Sequence, residues 1–224
     1  MLRFSHRLHN KVREIWEKTH QHPFVDGLGK GNLPVESFIR YMKQDYVFLL
    51  DYSKLFAWGT IKSKDLDTMA EFAKLLHETL HGEMDLHRGY AARFGITRQH
   101  LEETKPSPIN LAYTRYMLNV AQNGSLEELI SALLPCMWSY WEISKMLADK
   151  YPKASEHPLY GDWIKMYNSE EFGSLALWLI DLLDQLAEGK PERELDRLEE
   201  HFITTSRFEY MFWDMVYKGE DWPV

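Results

Sequence analysis

The residue best suited to nucleophilic chemistry is Cys136, the only cysteine in the chain. It follows Pro135 in the apolar run Leu-Leu-Pro-Cys-Met-Trp, and Tyr140 comes four residues later. On a helix that spacing places the phenol on the same face as the thiol. A thiolate is a strong nucleophile, but a lone cysteine among apolar residues is also commonly a small core residue. The spacing alone leaves both interpretations open.

Two carboxylates lie among aromatic residues on predicted helices. Asp45 occurs in Gln-Asp-Tyr-Val-Phe, and Glu209 in Phe-Glu-Tyr-Met-Phe-Trp. An acid on an otherwise apolar stretch is a candidate general acid, general base or ligand anchor. The alternative for each is an exposed edge position or a salt bridge in the core.

A third pattern is His77-Glu78-Thr-Leu-His81, which matches the zinc-peptidase signature H-E-x-x-H, with His87 at the spacing of a third ligand. Histidines four apart share a helix face and can bind one metal. However, His87 lies roughly 120° around a continuous helix from His81. We therefore favour a solvated helix face and keep a zinc metallopeptidase as the alternative function.

Two E-x-x-H pairs are also typical of di-iron sites in helical bundles: Glu17 with His20, and Glu78 with His81. His20 stands at a predicted helix end, and we find no further inward-facing glutamates to complete such a site. The sequence therefore predicts no metal and no cofactor.

The elements that position these residues are helices, because apolar residues recur at three- and four-residue spacing throughout. We predict a first helix from Phe4, a break over 23–31, and a long helix that opens at Leu33-Pro34. Further helices are predicted over about 65–93, 97–103, 110–122, 125–150, 160–167, 170–187 and 191–217. Pro135 should kink the helix that carries the cysteine and free a carbonyl near Ser131.

Composition excludes several classes of protein. The length of 224 residues and a hydrophobic fraction of 45% fit one folded domain over 1–224, an all-α bundle. A net charge of -8 without a basic block argues against nucleic-acid binding. The single cysteine, with no apolar signal segment or membrane-spanning run, predicts a cytoplasmic protein with no membrane partner.

Taken together, the segments resemble the thiaminase II (TenA) family over essentially the whole chain. The matching blocks are short, but their order and separations agree from end to end. They are His22-Pro23-Phe24-Val25, Leu33-Pro34, Gln44-Asp45, Pro106-Ser107-Pro108 before Tyr113, Leu133-Leu134-Pro135-Cys136 with Trp138 and Tyr140, His157-Pro158 with Tyr160, Trp163 and Tyr167, and Glu209 with Phe212 and Trp213.

The resemblance implies a single-domain bundle of the haem-oxygenase-like type and a role for each matching residue. Cys136 would be the nucleophile and Glu209 the general acid and base. The expected substrate contacts are Asp45 at the amino-pyrimidine edge, the phenols Tyr140 and Tyr167, and the ring walls Tyr113 and Phe212. Phe48 is also an expected substrate contact. It replaces the family tyrosine that hydrogen-bonds the thiol, so the cysteine loses one expected donor.

The resemblance also implies an activity. We expect hydrolysis of 4-amino-5-aminomethyl-2-methylpyrimidine to the 5-hydroxymethyl product in thiamin salvage, and cleavage of thiamin as a further activity. Family members are typically tetramers, so a homo-oligomer is expected. Some have been described as regulators of secreted-enzyme expression, which leaves a non-catalytic regulatory protein as another alternative; the acidic charge argues against direct DNA contact.

Overall fold

The structure is a computed structural model that describes residues 3–224. Within that range every regular element is helical, which confirms the all-α prediction. The elements are α1 (Phe4–His20), α2 (Pro23–Lys30), α3 (Val35–Lys62), α4 (Leu66–Glu78), a π-helical segment (Thr79–Glu83), α5 (Met84–Arg93), α6 (Arg98–Glu102), α7 (Pro108–Asn123), α8 (Leu126–Lys150), a 3₁₀ turn (Ala154–Glu156), α9 (Gly161–Tyr167), α10 (Glu170–Ala187) and α11 (Glu192–Lys218). None of these helices combines the length and apolar character that crossing a membrane requires.

The predicted break over 23–31 is wrong, because this segment forms α2. The His22 side chain caps the helix: its Nδ1 accepts a hydrogen bond from the backbone N–H of Phe24 at 3.1 Å. Pro23 occupies the first helical position, where its missing N–H costs nothing. Gly31 ends the helix in the left-handed conformation with φ of 72°. The residues taken for a break are therefore the start and stop signals of a short helix.

The predicted helix over 65–93 is helical from Leu66 to Arg93, but it is not uniform. Asp65 caps α4 by accepting from the N–H of Thr68 at 2.8 Å. The π-helical segment Thr79–Glu83 then separates α4 from α5. A π turn adds one residue to a helix, which rotates the residues after it by about 100° relative to those before it. The face that α5 presents is therefore not the continuation of the face of α4.

The chain divides into two compact units. Among the described residues, unit 1 contains 3–34 and Ile130–Asp214, and unit 2 contains Val35–Leu129 and Met215–Val224. Cys136, Tyr140, Tyr167, Glu209 and Phe212 belong to unit 1, whereas Asp45, Phe48 and Tyr113 belong to unit 2. The single domain over 1–224 stays a prediction.

Unit 1 has a core of apolar and aromatic side chains that also fixes the helices of the cysteine and the glutamate. Trp163 and Trp213 are fully buried, as is Phe202 of α11. The Ser131 hydroxyl donates to the Leu198 carbonyl at 2.5 Å and so ties α8 to α11 shortly before Pro135. α8 continues through that proline as a helix. Its predicted kink stays a prediction.

Unit 2 is organised by α3, which packs against α4, α5 and α7. Gln44 fixes the segment before α7: its Oε1 accepts from the Ser107 N–H at 3.0 Å and the Asn110 amide at 2.9 Å. Its Nε2 donates to the Lys105 carbonyl at 3.0 Å. The residue directly before Asp45 therefore sets the start of the helix that carries Tyr113.

Candidate active site

The predicted nucleophile lies on α8. Cys136 is half-buried, and Tyr140, one helical turn later, is 4% exposed. Residues four apart point to the same side of a helix, so the thiol and the phenol share a face of α8 as predicted. The thiol is therefore partly shielded from water, and it shares its helix face with a phenol.

An aromatic cluster surrounds Tyr140. Its ring centroid is 4.9 Å from that of Tyr167 on α9 and 5.1 Å from that of Trp213 on α11. Trp163 completes the group, with its centroid 4.6 Å from that of Tyr167 and 5.7 Å from that of Tyr140. The structure thus brings together the two predicted phenols, Tyr140 and Tyr167, which are 27 positions apart in the sequence.

The predicted general acid lies on α11. Glu209 is 3% exposed and Phe212 is 2% exposed. Trp213, four residues after the glutamate, lies on the same face of α11 and contacts Tyr140. Glu209 therefore belongs to the helix face that meets the aromatic cluster of α8 and α9.

Asp45 lies on α3 in unit 2 and is 3% exposed. The Tyr41 hydroxyl donates to its Oδ2 at 2.9 Å. His87 Nε2 of α5 lies 2.6 Å from the same oxygen. Asp45 is therefore a buried carboxylate held by two groups, and not an exposed edge position.

The position where a family tyrosine is expected lies in an aromatic group of unit 2. Phe48 is 3% exposed, and its ring centroid is 5.2 Å from that of Tyr52 and 5.2 Å from that of Tyr113. The rings of Phe48 and Tyr52 are nearly parallel, with 23° between their planes. The structure thus brings together Phe48 and Tyr113, two of the predicted substrate contacts.

The H-E-x-x-H residues lie on an outer surface. His77, Glu78 and His81 are exposed, and the two imidazole centroids are 4.5 Å apart. His87 is fully buried, and both of its ring nitrogens contact other groups. Among residues 3–224 no three His, Cys, Asp or Glu side chains are grouped so that they could hold a metal ion. His87 therefore does not share the exposed surface of His77 and His81.

His87 is the residue near the site whose role the sequence reasoning missed. Its spacing from His81 suggested only a metal ligand, and the π-helical segment Thr79–Glu83 that precedes α5 was not predicted. The one available signal was the glycine within that segment, Gly82, a poor helix former in the middle of a helical pattern.

The chain is similar over nearly its full length to proteins of known name. The chain is 54% identical over 219 residues to the aminopyrimidine aminohydrolase of Halalkalibacterium halodurans, covering 98% of this chain and 97% of that protein. Its structure is similar to that of a TenA homologue from Pyrococcus horikoshii OT3, with a TM-score of 0.88 and 32% identity over 97% of this chain and 100% of that one.

A more distant structure identifies the fold. A domain from Shewanella denitrificans, described as having a haem oxygenase-like fold, gives a TM-score of 0.75 at 16% identity, covering 95% of this chain and 91% of that one. The predicted fold type is thereby confirmed. The model of the TENA/THI-4/PQQC family matches residues 9–219. This chain belongs to the TENA/THI-4/PQQC family.

Proposed function

We propose that this chain is an aminopyrimidine aminohydrolase that acts in thiamin salvage. The observation that carries the proposal is the 54% identity, over nearly the full length of both chains, to a protein of that name. The residue chemistry supports it, because one unit holds a half-buried thiol on α8, an aromatic cluster around Tyr140 of the same helix, and a buried carboxylate on α11. In the other unit, Tyr41 and His87 both contact one oxygen of the buried carboxylate of Asp45.

The proposed reaction begins when the Cys136 thiolate adds to a ring carbon of the pyrimidine. A C–S bond forms and the ring loses its aromaticity. The electron pair then expels the amine from the neighbouring methylene, and Glu209 supplies the proton that the amine carries away. Water adds to the methylene while Glu209 takes back a proton. The C–S bond breaks, and the net change is aminomethylpyrimidine plus water to hydroxymethylpyrimidine plus ammonia.

The other predicted residues bind the ring in this proposal. Asp45 accepts a hydrogen bond from the exocyclic amine and favours a protonated, electron-poor ring, which a thiolate attacks more readily. Tyr140 and Tyr167 contact the substrate through their phenols. Tyr113, Phe212 and Phe48 offer aromatic walls, on which an electron-poor ring stacks with an offset.

Three further features belong to the proposal. Thiamin is a second substrate, cleaved at the bond between its methylene and the thiazolium. The family resemblance supports a homotetramer. The lone cysteine, which cannot form an internal disulfide, supports a cytoplasmic location.

The test is a substrate comparison: 4-amino-5-aminomethyl-2-methylpyrimidine against thiamin, with the hydroxymethylpyrimidine and ammonia both quantified. We expect the aminomethyl compound to be the better substrate. Cys136→Ser should abolish turnover while the variant still binds pyrimidine, because serine lacks the nucleophilicity of a thiolate. Turnover of neither compound by the wild-type protein refutes the function, and near-wild-type turnover by the serine variant refutes the covalent mechanism.

A second arm tests the metal alternative. Enzyme dialysed against a chelator should keep its activity, because the proposed chemistry uses only side chains. Loss of activity that added zinc restores would instead favour His77, Glu78 and His81 as functional residues. The matched control is the double variant His77→Ala/His81→Ala, which should leave turnover unchanged, since these side chains are exposed.

A further inference from the structure

A cavity in unit 1 lies where the end of α2, the end of α8 and the following 3₁₀ turn come together. Its volume is about 690 Å³, within the range of pockets that hold small organic ligands. Its walls are formed by 29–31 and 150–154, with Glu156 and His157. All of these residues belong to unit 1, and none of them takes part in the proposed reaction. The proposed function therefore leaves this cavity without a role.

Two glycines of the cavity wall are each contacted by an aromatic ring. A Cβ atom at Gly29 would lie 2.2 Å from the Tyr151 ring, and one at Gly31 would lie 2.6 Å from the His157 ring. Each ring thus occupies space that a larger residue would fill. Gly31 also has a φ of 72°, in the left-handed region that favours glycine. The rings of Tyr151 and His157 are therefore packed directly against the end of α2.

His157 brings a hydrogen-bond donor to this cavity. Its Nδ1 accepts from the backbone N–H groups of Leu159 at 3.2 Å and Tyr160 at 3.3 Å. A ring nitrogen that accepts carries no hydrogen, so the hydrogen of the neutral imidazole is on Nε2. Nε2 is on the side of the ring next to Gly31, and it forms no hydrogen bond to any residue within 3–224. The ring is held in place, and its N–H is open to a ligand.

Ammonium groups surround the same cavity. Lys30, Lys150 and Lys153 contribute to its walls, together with one carboxylate, Glu156. Asp26 pairs with both Lys30 at 2.5 Å and Lys150 at 3.1 Å, so two ammonium groups share one carboxylate. Three lysines and two acids leave one positive charge in excess, although the whole chain has a net charge of -8. This local excess favours an anionic ligand.

The anionic part of such a ligand has a preferred place within the cavity. The carbonyl ends of α2 and α8 carry partial negative charge, which the last-turn residues Lys30 and Lys150 offset. Lys153 lies outside both helices and, like His157, contributes to the cavity wall. An anion is therefore expected beside Lys153 and His157, away from the two helix ends.

We infer that this cavity binds a small organic phosphate, whose oxygens accept hydrogen bonds from His157 Nε2 and the Lys153 ammonium. A phosphate monoester has a charge of about -1.5 to -2 at pH 7 and three acceptor oxygens, which suits an N–H donor beside several ammonium groups. The phosphate fills only part of the cavity, and Tyr151, Pro152 and Ala154 offer apolar surface to the organic part. This site stands whether or not the proposed function is correct.

The test is calorimetric titration of the full chain with phenyl phosphate. We expect one molecule bound per chain, with a dissociation constant of about 1 mM or lower. Phenol and inorganic phosphate each lack one half of the ligand, and they should bind at least about tenfold more weakly. Saturation with 4-amino-5-hydroxymethyl-2-methylpyrimidine should leave the dissociation constant of phenyl phosphate unchanged. The absence of binding, or competition between the two compounds, overturns the inference.

Replacing the histidine tests the donor itself. In His157→Asn the side-chain oxygen can still accept from the N–H groups of Leu159 and Tyr160, as in an Asx turn. The shorter amide does not reach the position of Nε2, so the hydrogen bond to the phosphate is lost. Phenyl phosphate should then bind about tenfold or more weakly, since hydrogen bonds to charged groups are strong. Wild-type affinity in the folded variant overturns the inference.

The lysine variants separate a specific contact from general attraction between charges. Lys153→Gln should weaken phenyl phosphate binding by about 2–5-fold, as expected for an exposed ion pair. Lys165→Gln makes the same change of charge on α9, at an exposed lysine outside the cavity, and should leave the affinity unchanged. Equal weakening by both lysine variants overturns the inference. If His157→Asn does not fold, Lys153→Glu replaces it, because it alters only an exposed side chain; wild-type affinity in that variant likewise overturns the inference.

Discussion

Replacing Asp45 by asparagine tests the buried pair on α3 and α5 through stability as well as function. Asp45→Asn preserves size and leaves an amide oxygen that can accept from Tyr41, so the change is mainly a loss of charge. The carboxylate is 5% exposed and lies 2.6 Å from His87 Nε2. Removing one partner of a buried ion pair costs about 3–5 kcal/mol, and the retained acceptor places this case near the lower end, about 3 kcal/mol. For a chain of this size that corresponds to roughly 6–12 °C in Tm.

The loss of stability in Asp45→Asn should depend on pH in a defined direction. The pKa of His87 is raised in the folded protein, because the contacts with Asp45 and Glu83 outweigh burial. A raised pKa contributes stability below the unfolded value of about 6.5, and this contribution disappears as the pH rises through the folded value. In the asparagine variant burial acts without the Asp45 charge, so His87 loses its proton more readily. The stability difference between wild type and variant should therefore be largest near pH 6 and shrink at higher pH.

Urea unfolding monitored by tryptophan fluorescence measures the free energy of unfolding and its dependence on pH. Asp51→Asn is the control on the same helix. Asp51 pairs with Lys54 at 2.6 Å near the surface, where an ion pair contributes up to about 1 kcal/mol. Pyrimidine binding should weaken in Asp45→Asn alone. A free energy of unfolding within about 0.5 kcal/mol of wild type near pH 6, or a loss that grows with pH, would refute the ion-pair reasoning.

Three other predictions concern the remaining site and the packing of unit 2. Glu209→Gln should lower kcat by about 10²–10⁴-fold with little change in KM, since it removes proton transfer and leaves binding; a change confined to KM would contradict that role. Phe48→Tyr should speed alkylation of the thiol and raise turnover if the added phenol stabilises the thiolate, and an unchanged alkylation rate would show that another group does so. Gly59→Ala should lower the free energy of unfolding by about 1–3 kcal/mol, because the new Cβ would come within 2.3 Å of the Phe72 ring. Gly89→Ala is its control, with nothing within 4 Å, and should stabilise slightly by urea unfolding.

Most of the helices could be predicted because their signals are local. The helix α10 (Glu170–Ala187) has the predicted limits, with the Ser169 hydroxyl accepting from the Phe172 N–H at 3.1 Å. Proline and glycine caused the one clear error, at α2. The same two residue types break a helix in its interior and delimit it at its ends, so their meaning depends on whether a side chain such as His22 caps the first turn.

The aromatic and acidic residues of the site could be listed from the sequence, but their contacts could not. Tyr140 and Tyr167 are on different helices, and nothing in their spacing predicts a centroid distance of 4.9 Å. Phe48 and Tyr113 meet likewise because α3 packs against α7. Contacts between residues so far apart in the sequence depend on helix packing. Apolar periodicity predicts which face of a helix is buried, but it does not predict which other helix packs against that face.

The contact between His87 and Asp45 could not be predicted for a different reason, which is the irregular geometry of the helix before His87. A uniform α-helix places His87 about 120° around from His81. The sequence therefore suggested either that both histidines bind one metal or that they have no common role. The π-helical segment Thr79–Glu83 changes that phase, and α5 then buries its histidine while His81 stays exposed. The same segment supplies the Glu83 carbonyl that fixes Nδ1 of the ring. The π-helical segment thus separates the exposed His81 from the buried His87. His87 then contacts Asp45, the carboxylate that binds the pyrimidine in the proposed function.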